Sequence, residues 1–138
     1  MSAEGDGTQF AMLGRIDEVD PSGLTERYAY PDELRSCWVR GNMIASVDGG
    51  ATSDGKSGDL GGDGDRAVFA ALREVADVIV VGASTARVEN YSGVQFSVAQ
   101  RLARQRRGQA EVPPIAVLTR SGRVERDEIG RASCRERV

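Results

Sequence analysis

The chain has 138 residues, enough for one domain with a modest core, and its 28% charged and 40% apolar residues are the composition of a soluble globular protein. A net charge of −3 argues against a nucleic-acid protein, and the absence of histidine removes the commonest general base, the Ser-His and Cys-His nucleophile pairs and most zinc sites. No run approaches the roughly 20 apolar residues of a membrane span, and the N-terminus lacks the basic start and apolar block of a secretory signal, so a cytoplasmic protein with no membrane partner is expected.

Residues 1–36 are polar, lack sustained periodicity and read as an N-terminal arm with at most one short amphipathic turn. Cys37–Val47 (CWVRGNMIASV) is apolar and β-branched, which predicts a strand. Asp48–Gly64 is dominated by glycine and aspartate and reads as a loop. In the stretch DRAVFAALREVAD, Val68, Leu72, Val75 and Ala76 fall on one helical face, Phe69 widens it, and Asp63 or Asp65 can cap the helix start. Val78–Gly82 (VIVVG) is a continuous apolar run, as in a strand covered on both faces, so Cys37–Gly82 reads as a βαβ unit. Ala83–Val94 reads as a second loop, Phe96–Arg107 as another helix and Pro113–Thr119 (PPIAVLT) as a third strand. The alternation predicts an α/β fold with a largely parallel central sheet and flanking helices.

The tail Glu128–Val138, EIGRASCRERV, is what the start of a common short-read sequencing adapter encodes in this frame. The expectation is therefore that residues 37–127 are the N-terminal portion of a domain whose C-terminal part is missing, and that 128–138 are read-through. Cys134 then has no biological meaning, and a Cys37–Cys134 disulfide is not expected in the cytoplasm. An intact genomic locus encoding the same tail with unrelated codons would overturn this reading.

The stretch Gly50–Ser57, GATSDGKS, matches the phosphate-loop pattern G-x-x-x-x-G-K-[ST] at every specified position. That loop works only if a helix opens at the Lys-Ser pair and turns its N-terminal N–H groups on the phosphates. Here GDLGGDGD follows, whose glycines disfavour a helix and whose aspartates repel a triphosphate, so a nucleoside triphosphatase is not expected. No window over Asp48, Asp54, Asp59, Asp63 and Asp65 fits a helix-loop-helix calcium site, and no metal site is assigned. The plain alternative is a solvated acidic loop. Its position between a strand and a returning helix favours ligand binding, because open α/β sheets bind ligands beyond the carboxyl ends of their strands. Hydroxyls of Ser46, Ser57, Ser84 and Thr85, carboxylates of Asp48 and Glu89, and the cations Arg66, Arg73 and Arg87 would suit a polar phosphorylated metabolite. With no base to activate a serine, such a site suits cofactor chemistry such as hydride transfer. The cluster Arg101, Arg104, Arg106 and Arg107 is read as a solvated helix face rather than a nucleic-acid patch.

In order along the chain stand NMIASVDG (Asn42–Gly49), DGKSGDLGG, DR-x-x-F-x-x-L-R (Asp65–Arg73) and AD-VIVVGASTAR-x-EN (Ala76–Asn90). Together they resemble the pyrimidine reductase domain of riboflavin biosynthesis, in its stand-alone form, over Trp38 to about Arg123. The resemblance implies a dihydrofolate-reductase-like fold, NADPH as cofactor and a homodimer when full length. It implies reduction of the ribosyl side chain of a phosphorylated diaminopyrimidine or amino-uracil to a ribityl chain, with hydride passing from the nicotinamide to the sugar C1. By the same resemblance, Ser57 and Arg73 are substrate-binding, and Ile44, Ser46, Asp59, Thr85, Glu89 and Ser121 line the NADPH site. Some relatives carry an aromatic where Asp59 stands. Arg73 also reads as a surface arginine beside Glu74, Thr85 as a helix cap, and Asp48 as the holder of an S-x-D-G turn. The zinc deaminase domain of many relatives has no counterpart here, nor does their glycine-rich E-G-G-P stretch, so weak or absent catalysis and poor stability are expected of this chain alone. A dihydrofolate-type reductase and a non-catalytic ligand-binding relative are the alternatives.

Overall fold

The computed structural model describes residues 10–11, 18–20, 23–89, 91 and 93–123. The tail with Cys134 lies outside them, as does Asn90. In chain order the elements are β1 (Phe10–Ala11), β2 (Glu18–Val19), α1 (Leu24–Arg27), α2 (Asp63–Val75), β3 (Ile79–Gly82), α3 (Ala83–Val88), α4 (Val98–Arg106) and β4 (Ile115–Leu118). β1 pairs antiparallel with β2. β3 pairs parallel with β4, Ile79 opposite Ile115 and Gly82 opposite Leu118, with α3 and α4 forming the crossover between them. The fold is thus mixed α/β with a small parallel sheet.

The parallel pair is not the one the sequence predicts. Cys37–Val47 forms no strand, so there is no βαβ unit over Cys37–Gly82. β propensity in that segment is real, but a strand exists only where a neighbour completes its ladder, and the described partner of β3 is β4. Val39, Met43 and Val47 are accordingly exposed. β3 is also covered on one face only: Val81 is buried while Val80 and, on β4, Leu118 are open to solvent. Ala83–Val88, read from sequence as loop, is the helix α3, with Ala86 wholly buried at its centre. The run ASTARV has no glycine or proline to oppose a helix, and packing supplies the rest.

Helix α2 begins after an N-cap at Gly62 that makes no side-chain cap bond, so neither Asp63 nor Asp65 caps it. Both lie within the first turn instead, where their charge opposes the positive end of the helix dipole, and Asp63 pairs with Arg66 at 2.7 Å. Part of the N-terminal arm packs on this helix, with Leu24 of α1 and Ala71 of α2 forming a buried cluster flanked by Tyr28, Ala67 and Val68. Helix α4 starts with a reciprocal capping box: the Ser97 hydroxyl accepts from the Gln100 N–H at 3.3 Å, and the Gln100 side chain accepts from the Ser97 N–H at 3.0 Å. It ends where Gly108 takes a φ of 75°, a left-handed conformation that glycine adopts without strain.

Of the four arginines read as a solvated face, Arg101, Arg106 and Arg107 are exposed and Arg104 is not. Arg104 is 0% exposed. Its Nη1 donates to the carbonyls of Glu74 (2.7 Å) and Ala76 (2.9 Å), and its Nε to that of Ala110 (2.8 Å). Arg107 adds a bond to the Glu74 carbonyl at 3.0 Å, and Gln109 one to the Val75 carbonyl at 2.8 Å. The final carbonyls of a helix have no partner within it. Here those at the end of α2 are satisfied by side chains from the end of α4 and just beyond, and two of the donors are cations placed at the negative pole of the helix.

Candidate functional site

The phosphate-loop look-alike is a tight β-turn. Ser53 donates to the Lys56 carbonyl at 2.8 Å and Lys56 returns the bond at 2.9 Å. Between them Asp54 and Gly55 sit at φ 48° and 78°. Positive φ at both central positions is the type I′ requirement, and Asp-Gly is among its preferred pairs. Ser57 then precedes a single 3₁₀ turn, Gly58–Leu60, and no helix opens until Asp63. The N–H array of a triphosphate loop is therefore not built.

Just upstream, Ser46–Gly50 is a second closed turn. The Ser46 N–H donates to the Gly50 carbonyl at 2.8 Å, and the Gly49 N–H to the Ser46 carbonyl at 2.9 Å, with Gly49 at φ 88°. The Ser46 hydroxyl accepts from the Gly50 N–H at 2.9 Å and donates to the Asp48 carboxylate. That hydroxyl, aided by the Asp48 and Gly50 backbone N–H groups, holds the Asp48 carboxyl below its ordinary range. Asp48 therefore fastens its own turn.

The glycine-aspartate segment and the loop beyond α3 meet at one carboxylate. Glu89, the C-cap residue of α3, accepts two hydrogen bonds on Oε1, from the backbone N–H and from the hydroxyl of Ser57, both at 2.8 Å. Those two bonds, the backbone one first, lower the Glu89 carboxyl below its usual range; burial opposes them weakly and Lys56 adds a small favourable charge. Two residues on, Tyr91 donates its N–H to the Ala86 carbonyl at 2.9 Å and sets its ring 4.7 Å from the Arg73 guanidinium. Phe69, one helical turn before Arg73, lies 4.1 Å from the same group. Arg73 Nε is buried without a hydrogen-bond partner.

A cavity of about 370 Å³ opens at the carboxyl ends of β3 and β4, lined by Gly82, Ser84, Arg87, Leu118, Arg120 and Ser121 among others. The Ser121 hydroxyl accepts from the Arg123 N–H at 3.3 Å, and Arg87 donates to the Arg123 carbonyl at 2.9 Å. A larger hollow of about 490 Å³ lies between α1, α2 and α4, beside Glu26, Ala70, Glu74, Gln100 and Arg107, and contains none of the cofactor- or substrate-binding residues expected from sequence.

The structure thus joins Ser57 to Glu89 directly and brings Arg73 to Tyr91, which follows Glu89 closely in the chain. Thr85 is exposed on α3; the cap of that helix is Gly82, with no side-chain bond, so Thr85 is not a cap. Ser121 stands at the rim cavity. Ile44 and Ser46 are half-buried and make no hydrogen bond to α3 or to the segment after β4, and Asp59 is exposed with no side-chain hydrogen bond among the described residues. Sequence reasoning missed Tyr91, Arg120 and the Phe69–Arg73 pairing. The i, i+4 spacing inside DR-x-x-F-x-x-L-R carried the signal for the last of these. Among the described residues no group of three or more acidic or cysteine side chains could hold a metal ion, and no helix is long and apolar enough to cross a membrane.

The cavity at the carboxyl ends of β3 and β4 lies where open α/β sheets commonly take ligands. A model of the RibD C-terminal domain matches residues 37–129, and the chain belongs to that family, one of reductase enzymes that generally use NADPH and share a dihydrofolate-reductase-like fold. Among solved structures it is similar to a pyrimidine reductase-like protein from Corynebacterium diphtheriae, at 38% identity and a TM-score of 0.57, over 62% of this chain and 34% of that one. The chain therefore spans about a third of that relative's length. None of the curated proteins matches.

Proposed function

We propose that the protein is the first part of an NADPH-dependent reductase of riboflavin biosynthesis that converts the ribosyl side chain of a phosphorylated ribosylamino-pyrimidine or ribosylamino-uracil to a ribityl chain. The observation that carries this reading is the Ser57–Glu89 junction, which draws the family's two motif-bearing loops together beside α3. The donor set also fits the cofactor. Ser84, Arg87, Arg120 and Ser121 ring the rim cavity with hydroxyls and guanidinium groups suited to a phosphate-bearing end. NADPH, when bound, supplies the hydride. Ser57 offers its hydroxyl and Arg73 its charge to the substrate; Thr85 and Glu89 flank the cofactor from α3, and Ile44, Ser46 and Asp59 line the approach from the preceding turns. The protein's part is to orient and to supply electrostatics, since no side chain here is placed as a nucleophile with its base.

Full-length parent protein, recovered from the intact locus, is expected to oxidise NADPH with the amino-uracil ribotide and not with dihydrofolate. The reverse preference would make it a dihydrofolate-type enzyme, and tight ligand binding without oxidation would make it a non-catalytic relative. The 138-residue chain alone is expected to turn over weakly or not at all, and the full-length form to be a homodimer in the cytoplasm.

A further inference from the structure

Ser57 and Glu89 meet across 32 residues of chain, and each uses up what the other would offer a ligand. Ser57 has two donors, its backbone N–H and its hydroxyl, and both end on Glu89 Oε1 at 2.8 Å. An ionised carboxylate only accepts, so the hydroxyl proton is committed to Glu89 and the serine oxygen keeps lone pairs alone. In that state Ser57 has nothing to donate to a phosphate or carbonyl oxygen of a ligand.

The carboxylate is loaded unequally. Oε1 carries both bonds, whereas Oε2 lies beside Gly58, 3.6 Å from where a Cβ would stand, and takes no hydrogen bond among the described residues. The backbone of Glu89 is held separately, its N–H donating to the Thr85 carbonyl at 3.0 Å, so the side chain can change partner while the end of α3 stays in place. Both residues are only half-buried, which leaves the pair open to a ligand. Two adjacent hydroxyls, as on a ribose, match such a carboxylate: one takes Oε2, and the other competes with the Ser57 hydroxyl for Oε1.

We propose that the Ser57–Glu89 contact is a latch that couples two ligands: a ribose diol of the cofactor takes the Glu89 carboxylate and thereby frees the Ser57 hydroxyl to donate to the substrate. The proposal rests on the reductase reading for which ligand lies on which side; the mutual blocking of the two side chains stands without it. Whichever ligand arrives first breaks the hydroxyl bond, and the second meets a group already released. Each ligand therefore tightens the other by the same factor. For one charge-assisted bond in a half-buried place that factor is about five.

The test measures NADPH and ribose 5-phosphate binding to the full-length parent and to its Ser57→Ala and Ser57→Thr variants, NADPH being followed by its fluorescence. In the parent, saturating NADPH is expected to tighten ribose 5-phosphate by about fivefold. Ser57→Ala removes the competitor for Glu89, so it is expected to bind NADPH about fivefold more tightly than the parent and to lose the coupling. Ser57→Thr, which keeps the hydroxyl, is expected to stay within about twofold of the parent on both counts. A merely structural serine predicts the opposite sign, weaker NADPH binding in the alanine variant. Equal or weaker NADPH binding by Ser57→Ala, with the variant folded as judged by its unfolding midpoint, would overturn the latch. A tighter alanine variant in a parent that oxidises NADPH with no pyrimidine ribotide would count against the reductase reading and leave the latch standing. A parent that binds no NADPH would overturn both.

Discussion

The seam between α2 and α4 and the loop at Ser57 are held together by opposite means. At the seam a fully buried guanidinium closes the Glu74 and Ala76 carbonyls at the end of α2 and the Ala110 carbonyl just beyond α4, assisted by Arg107 and Gln109. At the loop a solvent-accessible carboxylate holds one serine through its hydroxyl and its N–H, next to a turn closed by two backbone bonds. Buried bonds tie a segment to the global stability of the body, whereas exposed ones open at little cost. The helical body is thus the rigid mount and the motif loops the adjustable part, an arrangement common where binding residues sit on loops above a stable scaffold.

Breaking the seam has the largest expected effect. Arg104→Leu leaves the Ala76 and Ala110 carbonyls without their donor and the Glu74 carbonyl with Arg107 alone, and should cost about 3 kcal/mol or more, read as a fall in the urea midpoint. Gly55→Val comes next. A β-branched residue is strained at the φ of 78° found there, by about 1–2 kcal/mol, and the hairpin turn should open, seen as faster hydrogen exchange at the Ser53 and Lys56 amides while α2 stays protected. Glu89→Ala should speed exchange at the Ser57 amide and leave the unfolding midpoint of the helical body unchanged.

The same carboxylate gives the loop a pH dependence of definite sign. The Ser57 bonds place the folded-state value of Glu89 below its ordinary 4.5, so its contribution is complete above that value and fades as the pH falls through the lowered one. Asp48 is lowered likewise by Ser46. Acidification below the ordinary carboxylate range is therefore expected to raise Ser57 and Gly50 amide exchange before α2 or α4 responds. Uniform loss of protection across all three would show that the loop and the mount are one cooperative unit.

Much of this was legible in the residues. The helical face of Val68 and Val75, the apolar runs that became β3 and β4, and the glycine barrier against a helix at Lys56 follow from periodicity and backbone preference, which act locally. Motif order was enough to recognise the family. The misreadings have a common cause. Cys37–Val47 has strand composition without a strand's neighbour, VIVVG has the look of a doubly covered strand with one face left open, and ASTARV became a helix by burying Ala86.

Arg104 shows the same limit most sharply. In sequence it is one of four clustered arginines, and nothing in their spacing distinguishes the one that turns inward; only the approach of the end of α2 supplies the carbonyls that make burying it tolerable. The chain by itself determined where helices and turns could start, because those depend on neighbours within a few residues. Which strand pairs, which arginine is buried, and that Ser57 meets Glu89 while Tyr91 meets Arg73, were decided by tertiary contact, because each depends on a partner far along the sequence.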